Sequence, residues 1–319
     1  MFKRVVQSGW LTLILCGCYC IIMTPLASGF ATLENAGNIM VAMLPLLIVA
    51  SGQTIVLMAA GIDLSVTSVI ALTSVTGAAI ITSDNGPLAG NVLGTPIAVA
   101  VMLVMGSAIG LANGFCVAGL RMPPFIVTLT SMMFLSGLAV WWTQSKSIYN
   151  LPPSFLFLGK NMWAAAAVAG LVVVGIQWVL SRTLFGIRLR AVGSNAQTAH
   201  VSGVHVRGIV ILAYVLCGAS AALASVLITS QLETGSPVQW QSNLLDVVGA
   251  TIIGGTSLYG GRGNVYWTAS GVLLLALIDN SLNLLNLSHF TIMMTKGVVI
   301  LVAALLDTLR QRVTGVSNS

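Results

Sequence analysis

The sequence predicts an all-α membrane protein of about ten transmembrane helices, and three observations carry that prediction. The chain is 57% hydrophobic and only 6% charged, whereas a soluble domain carries about 25% charged residues to cover its surface. Its apolar residues come in repeated runs of roughly 20, the length at which a helix rising about 1.5 Å per residue crosses a hydrocarbon layer of about 30 Å. The few basic residues fall almost entirely between those runs.

The runs lie near 10–28, 38–58, 64–82, 96–118, 123–143, 162–181, 208–230, 244–258, 265–286 and 290–308. The first follows a positive start at Met1–Arg4, as in a signal peptide. It exceeds a typical signal core and lacks a small-x-small cleavage site, so it reads as a retained span. With the N-terminus in the cytoplasm, Lys3, Arg4, Arg121, Arg182, Arg188, Arg190, Arg207, Arg262, Arg310 and Arg312 all fall on the cytoplasmic side. Only Lys146 and Lys160 face outward, and Lys296 sits within the last span. That sorting obeys the preference of cytoplasmic loops for Lys and Arg and predicts an N-in, C-in topology. Glu34, Asp84 and Glu233 fall in outer loops, a weaker signal because acidic residues carry little topological weight. No linker divides the chain, so 1–319 reads as a single membrane domain with a longest cytoplasmic stretch at about 182–207.

Other function classes find little support. A net charge of +6 would suit nucleic acid only on a solvated basic stripe with stacking aromatics, and here the charges are topology signals. The five cysteines lie inside apolar runs as small hydrophobes, without Cys-x-x-Cys pairs or a histidine cluster, so no metal site is expected. No phosphate-binding loop is present: the run Gly254 to Gly263 is glycine-rich but lacks the required Gly-Lys-Ser or Gly-Lys-Thr. The chain is therefore expected to be no enzyme and to bind no cofactor, with any ATP and Mg on a partner subunit. The three histidines, His200, His205 and His289, lie in loops and form no catalytic pattern.

Helix-breaking chemistry marks four places: Gly61 before Asp63, Pro123 with Pro124, Gly254 with Gly255, and the cluster Gly260, Gly261, Gly263. In lipid a broken helix is tolerated only where protein or a water-filled cavity satisfies the freed backbone groups, so these breaks point to a translocation path. Close helix packing uses the same glycines. The small, polar and aromatic residues at the breaks, Asp63, Ser65, Asn113, Phe125, Thr128 and Thr256, are the candidate path residues. Asp63 also reads as an N-cap of the third span. Asp246, Asp279 and Lys296 lie in or beside spans, where an unpaired charge costs at least about 2.5 kcal/mol, so each is expected to face inward with a partner.

In order along the chain stand Gly61-Ile-Asp-Leu-Ser-Val-Thr-Ser68, Asn113-Gly114 and Pro123-Pro-Phe-Ile-Val-Thr-Leu129. Then come Thr183-Leu-Phe-Gly-Ile-Arg188, Ala191-Val-Gly-Ser-Asn195, Ser202-Gly-Val204, Ile253-Gly-Gly-Thr-Ser-Leu258 and Asn280-Ser-Leu-Asn-Leu-Leu285. Together these motifs resemble the ribose-type family of ABC importer permeases, which serve monosaccharides and the autoinducer-2 signal. The resemblance implies a ten-span fold like the larger class of ABC importers and a bacterial inner-membrane location. It also implies a second permease subunit, identical or related, two cytosolic ATP-binding subunits or a fused pair, and an external solute-binding protein. Between spans six and seven it implies a short coupling helix that docks into the ATPase. The residues there agree: Gly193, Ser194 and Asn195 suit a turn and N-cap, Ala196, Gln197, Thr198, Ala199, His200 and Val201 continue a helix, and Ser202 leads to Gly203, suited to a left-handed end. Ala196, Ala199 and Val201 would offer it a small apolar docking surface. An ordinary cytoplasmic loop is the alternative. Thr67, Ser136, Ser194, Gln197 and His200 depart from the family pattern and leave the choice of sugar and of partner subunit open.

Two readings follow. The first is a permease subunit that moves a monosaccharide or sugar-like solute on ATP hydrolysed by a separate subunit. The second is an ion-coupled secondary transporter or channel for a small polar solute, which needs a coupling group near the midplane, and Asp246, Asp279 and Lys296 supply candidates for it.

Overall fold

The computed structural model describes residues 10–238 and 240–313, the last eight by backbone alone. Lys3 and Arg4, and the side chains of Arg310 and Arg312, lie outside the described residues. Each expected span coincides with a helix: α1 (Trp10–Leu26), α2 (Leu33–Met58), α3 (Val66–Ile81), α4 (Gly94–Gly114) and α5 (Pro124–Thr143). After a short outer helix α6 (Pro153–Lys160) comes α7 (Met162–Arg182), followed by two helices between spans, α8 (Leu184–Ser194) and α9 (Ala196–Val201). The chain then runs through α10 (Val206–Leu232), α11 (Leu244–Ile253), α12 (Val265–Leu284) and α13 (His289–Val313).

Six of these are long and apolar enough to cross a bilayer by themselves, and α1, α3 and the apolar part of α13 are shorter apolar helices. The run at 244–258 differs from expectation. Its helix ends at Ile253, and ten residues rise only about 15 Å, half a bilayer. It ends where Gly255 turns to φ +87°, and Gly254 beside it lets the chain pack on α12, since a Cβ there would stand 2.5 Å from the Trp267 carbonyl oxygen.

Local chemistry sets the ends. Thr32 caps α2 by accepting from Asn35 N–H, Asn161 caps α7 through Trp163 and Ala164 N–H, and Asn264 caps α12 through Tyr266 N–H. Pro124 opens α5 at a position where no backbone donor is needed.

The centre is built from α2, α3 and α10. In α2 78% of the most apolar stretch is buried, against 22% in α4, α5 and α7, so the latter three form the flank available to lipid or another subunit. α4 meets α10 through Gly106, Gly110 and Gly114, spaced four apart. A Cβ on Gly110 would collide with the Tyr214 carbonyl, and one on Gly114 would stand 2.9 Å from Ile211 Cα. Small residues at this spacing let two backbones approach, the usual way helices associate in lipid.

The two ends of the bundle separate cleanly. At one, Ser83 N–H bonds Asn150 O, Ile148 pairs with Gly235 in a β-bridge, and Lys160 meets Glu233 at 2.6 Å. At the other lie Arg121, Arg182, Arg188, Arg207 and Arg262, which the positive-inside rule puts in the cytoplasm. A cysteine replacing Arg188 is expected to react with an impermeant maleimide only in inside-out vesicles, and one replacing Lys146 only in intact cells. Labelling of position 188 from outside intact cells would reverse this topology.

Candidate functional site

The break between α2 and α3 is a loop whose Asp63 and Ser65 are buried and which is held by side chains from four helices, α2, α4, α5 and α10. Asp63 Oδ1 accepts from Ser65 N–H at 2.9 Å and from Ser65 Oγ at 2.6 Å, closing an Asx turn just ahead of α3. The expected cap is thus corrected in detail: Ser65, not Asp63, is the N-cap residue, and Asp63 binds Ser65 rather than the first helical amides. Asn113 from α4 donates to Ser65 Oγ at 2.9 Å, and Thr128 from α5 donates to Ile62 O at 3.3 Å. Tyr214 from α10, fully buried, donates to the same Ile62 oxygen at 3.2 Å. Gln53 from α2, with its amide turned to satisfy both groups, meets Asp63 N–H and Asp63 O at 3.2 Å each.

Four of the six path candidates, Asp63, Ser65, Asn113 and Thr128, therefore come together, each less than 5% exposed. In this conformation they bond one another and the loop. Phe125 stands apart, 55% exposed at the start of α5. Thr256 is buried in the loop after α11 beside Gly263, and its Oγ1 is the one buried side-chain polar atom among the described residues without a partner.

The cytoplasmic helices touch both breaks at once. Gly261 N–H donates to Met58 O at 2.9 Å, tying the loop after α11 to the end of α2. Gly193, at the end of α8, lies against that bond: a Cβ there would fall onto Met58 O and 2.5 Å from Gly261 N. α9 then leaves this junction. Asn195 Oδ1 accepts from Thr198 N–H at 2.8 Å as N-cap, and Gly203 ends the segment with φ +82°. Val204 N–H reaches back to Ala199 O at 3.0 Å. The helix is Ala196–Val201 rather than the full Ser194–Gly203, because Ser194 still belongs to α8 and bonds Arg190 O. Ala196, Gln197, Thr198, His200, Val201 and Ser202 are exposed, but Ala199 points inward, so it anchors the helix and is not part of an apolar docking face.

Residues 35–305 match the family described as branched-chain amino acid transport system / permease component. The chain belongs to this family. The permease is 34% identical over 298 residues to the ribose import permease protein RbsC of Escherichia coli K12, covering 91% of this chain and 90% of that protein. RbsC of Bacillus subtilis 168 is 36% identical over 266 residues, with 82% and 80% covered. The L-arabinose transport system permease protein AraH of Escherichia coli K12 is 33% identical over 299 residues, with 92% and 87% covered. No solved structure matches. The permease is a multi-pass protein of the bacterial inner membrane, and its family is a transport component rather than an ATPase.

Among the described residues, the three charges expected to face inward, Asp246, Asp279 and Lys296, are paired with one another, as the cost of isolated charge requires. Lys296 Nζ lies 2.7 Å from Asp246 Oδ2 and 3.1 Å from Asp279 Oδ1. Sequence reasoning missed Gln53 and Tyr214 at the break and the role of Gly193. Only Gly193 carried a signal, as part of the motif Ala191–Asn195.

Proposed function

We propose that this permease is the membrane half of an ATP-driven importer for a monosaccharide or sugar-like solute. The observation that carries the reading is its likeness over nine-tenths of its length to the ribose and arabinose permeases. The junction of Gly193, Met58 and Gly261 supports it, because it lies where a cytosolic ATPase pushing on α9 would move both breaks together.

In this reading 1–319 acts as one membrane domain, pairing with an identical or related permease. Two cytosolic ATP-binding subunits, or a fused pair, carry ATP and Mg, and an external solute-binding protein delivers cargo. His200, Val201 and Ser202 meet the ATPase, with Val201 at 82% exposure as the apolar contact. The breaks at Asp63, Ser65, Asn113, Thr128 and Thr256, with Phe125, border the path and change shape as it opens.

Uptake of radiolabelled D-ribose and L-arabinose by cells carrying the permease with its ATPase and binding protein tests this. Uptake is expected to need ATP and to survive collapse of the proton and sodium gradients. Uptake that follows an ion gradient without any ATPase would establish the ion-coupled alternative instead. Val201→Glu is expected to cut uptake roughly tenfold by placing a carboxylate in the apolar contact, with normal amounts in the membrane; unchanged uptake would remove α9 from the ATPase contact.

A further inference from the structure

The outer half of the permease holds a cavity of about 280 Å³ that none of the six path candidates lines. It lies among α2, α11 and α12 at the N-terminal end of α11, where a half-length helix leaves the outer part of the bundle unfilled. Met43, Leu46 and Leu275 give it apolar walls, and Trp240 closes one side. The volume falls just below the roughly 300 Å³ at which pockets for drug-sized ligands begin, and so suits a smaller solute.

Its polar groups are amides and two carboxylates around a single ammonium. Lys296 Nζ is held by Asp246 and Asp279, and Asn243 Nδ2 supports Asp246 Oδ2 at 3.3 Å. Asn280 is fixed by a reciprocal amide pair with Asn35, at 2.9 and 2.8 Å, and Asn283 by Asp279 O at 2.7 Å. Asp279 Oδ2 and the Asn38 amide make no hydrogen bond among the described residues and stand at the cavity's edge. A coupling cation would need several oxygens converging on one point, but the Lys296 ammonium already fills the point between the carboxylates. An anion would meet two carboxylates for one ammonium. A polyhydroxylated solute fits: each hydroxyl gives one hydrogen bond and accepts two, amides and a carboxylate answer both needs, and a tryptophan face covers C–H surface.

We propose that this cavity is a transient holding site for a monosaccharide-sized polyol, contacted by Asn38, Asp279 and Trp240. The proposal rests on the import reading above and gives it a place inside the permease where cargo pauses. Lys296, locked to both carboxylates, acts as the rigid floor that keeps Asp279 Oδ1 occupied and Oδ2 turned to the solute.

Saturation-transfer NMR on the full chain in lipid nanodiscs tests it, with D-ribose, L-arabinose and L-leucine as probes. Transfer to at least one of the sugars and none to leucine is expected. Asn38→Leu, which removes a hydrogen-bonding contact, and Trp240→Ala, which removes the face that covers the sugar's C–H surface, are each expected to reduce the sugar signal roughly tenfold, with unchanged gel-filtration profiles. Asp279→Asn, which keeps the shape and loses the charge, should reduce it less. Equal transfer in wild type and in the first two variants would put the sugar elsewhere and overturn the site. Transfer to no sugar, or to leucine alone, would overturn it as well. The import reading is judged apart from this by ATP-dependent uptake, which can hold in wild type while the cavity proposal fails.

Discussion

Asp63→Ala is expected to weaken the permease by about 2–6 kcal/mol, because it strips acceptors from two buried donors, Ser65 N–H and Ser65 Oγ–H, at about 1–3 kcal/mol each. Neither donor can turn to water, since Asp63 is 1% exposed and Ser65 fully buried. Ser65 Oγ also accepts from Asn113, so the loss spreads from the loop to α4. In the purified subunit this should lower the unfolding midpoint on the order of 5 °C. Asp63→Asn keeps a carbonyl oxygen where Oδ1 stands and should lose less than half as much. An Ala variant as stable as wild type would mean that the carboxylate does not organise the break.

The parts of this molecule legible in advance are those that the bilayer dictates. Length and polarity must suit a hydrocarbon slab, so every expected run found its helix, and the charge cost brought Lys296 to Asp246 and Asp279 as expected. Local capping was legible too, in Asn195 and Gly203. The limits of legibility are equally physical. The pair Gly254 and Gly255 marks a break in the run at 244–258, but that the helix ends there, packed against Trp267, is a tertiary outcome that the apolar pattern around it does not show. α8 is hidden behind Gly186 and three arginines at 182, 188 and 190, although Gly186, Leu189, Val192 and Gly193 do recur on one buried face. A helix as short as α9 has too few residues for periodicity to show which side faces inward, so the sequence alone does not separate buried Ala199 from exposed Ala196 and Val201. At the break, Tyr214 reaches Ile62 across 152 positions, and no spacing rule within one chain announces such a partner.

Gly193→Ala is expected to separate ATP hydrolysis from transport. The added methyl would fall onto Met58 O and crowd Gly261 N at 2.5 Å, and both are backbone atoms that cannot rotate away. Either α8 moves back from the junction or the 2.9 Å bond from Gly261 N–H to Met58 O opens. In both cases the cytoplasmic helices lose their grip on the loops after α2 and α11, while the exposed face of α9 that would meet the ATPase keeps its shape through Asn195 and Gly203. The complex should therefore assemble and hydrolyse ATP at near wild-type rate but import roughly tenfold less solute per ATP, because packed contacts switch between discrete arrangements rather than stretching. Gly170→Ala is the matching control, since a Cβ there meets nothing within 4 Å, and it should leave both rates unchanged. The measurement is the ratio of solute imported to ATP consumed in proteoliposomes containing the permease, its ATPase and binding protein. A wild-type ratio for Gly193→Ala would show that the junction of α8 with the two breaks transmits nothing.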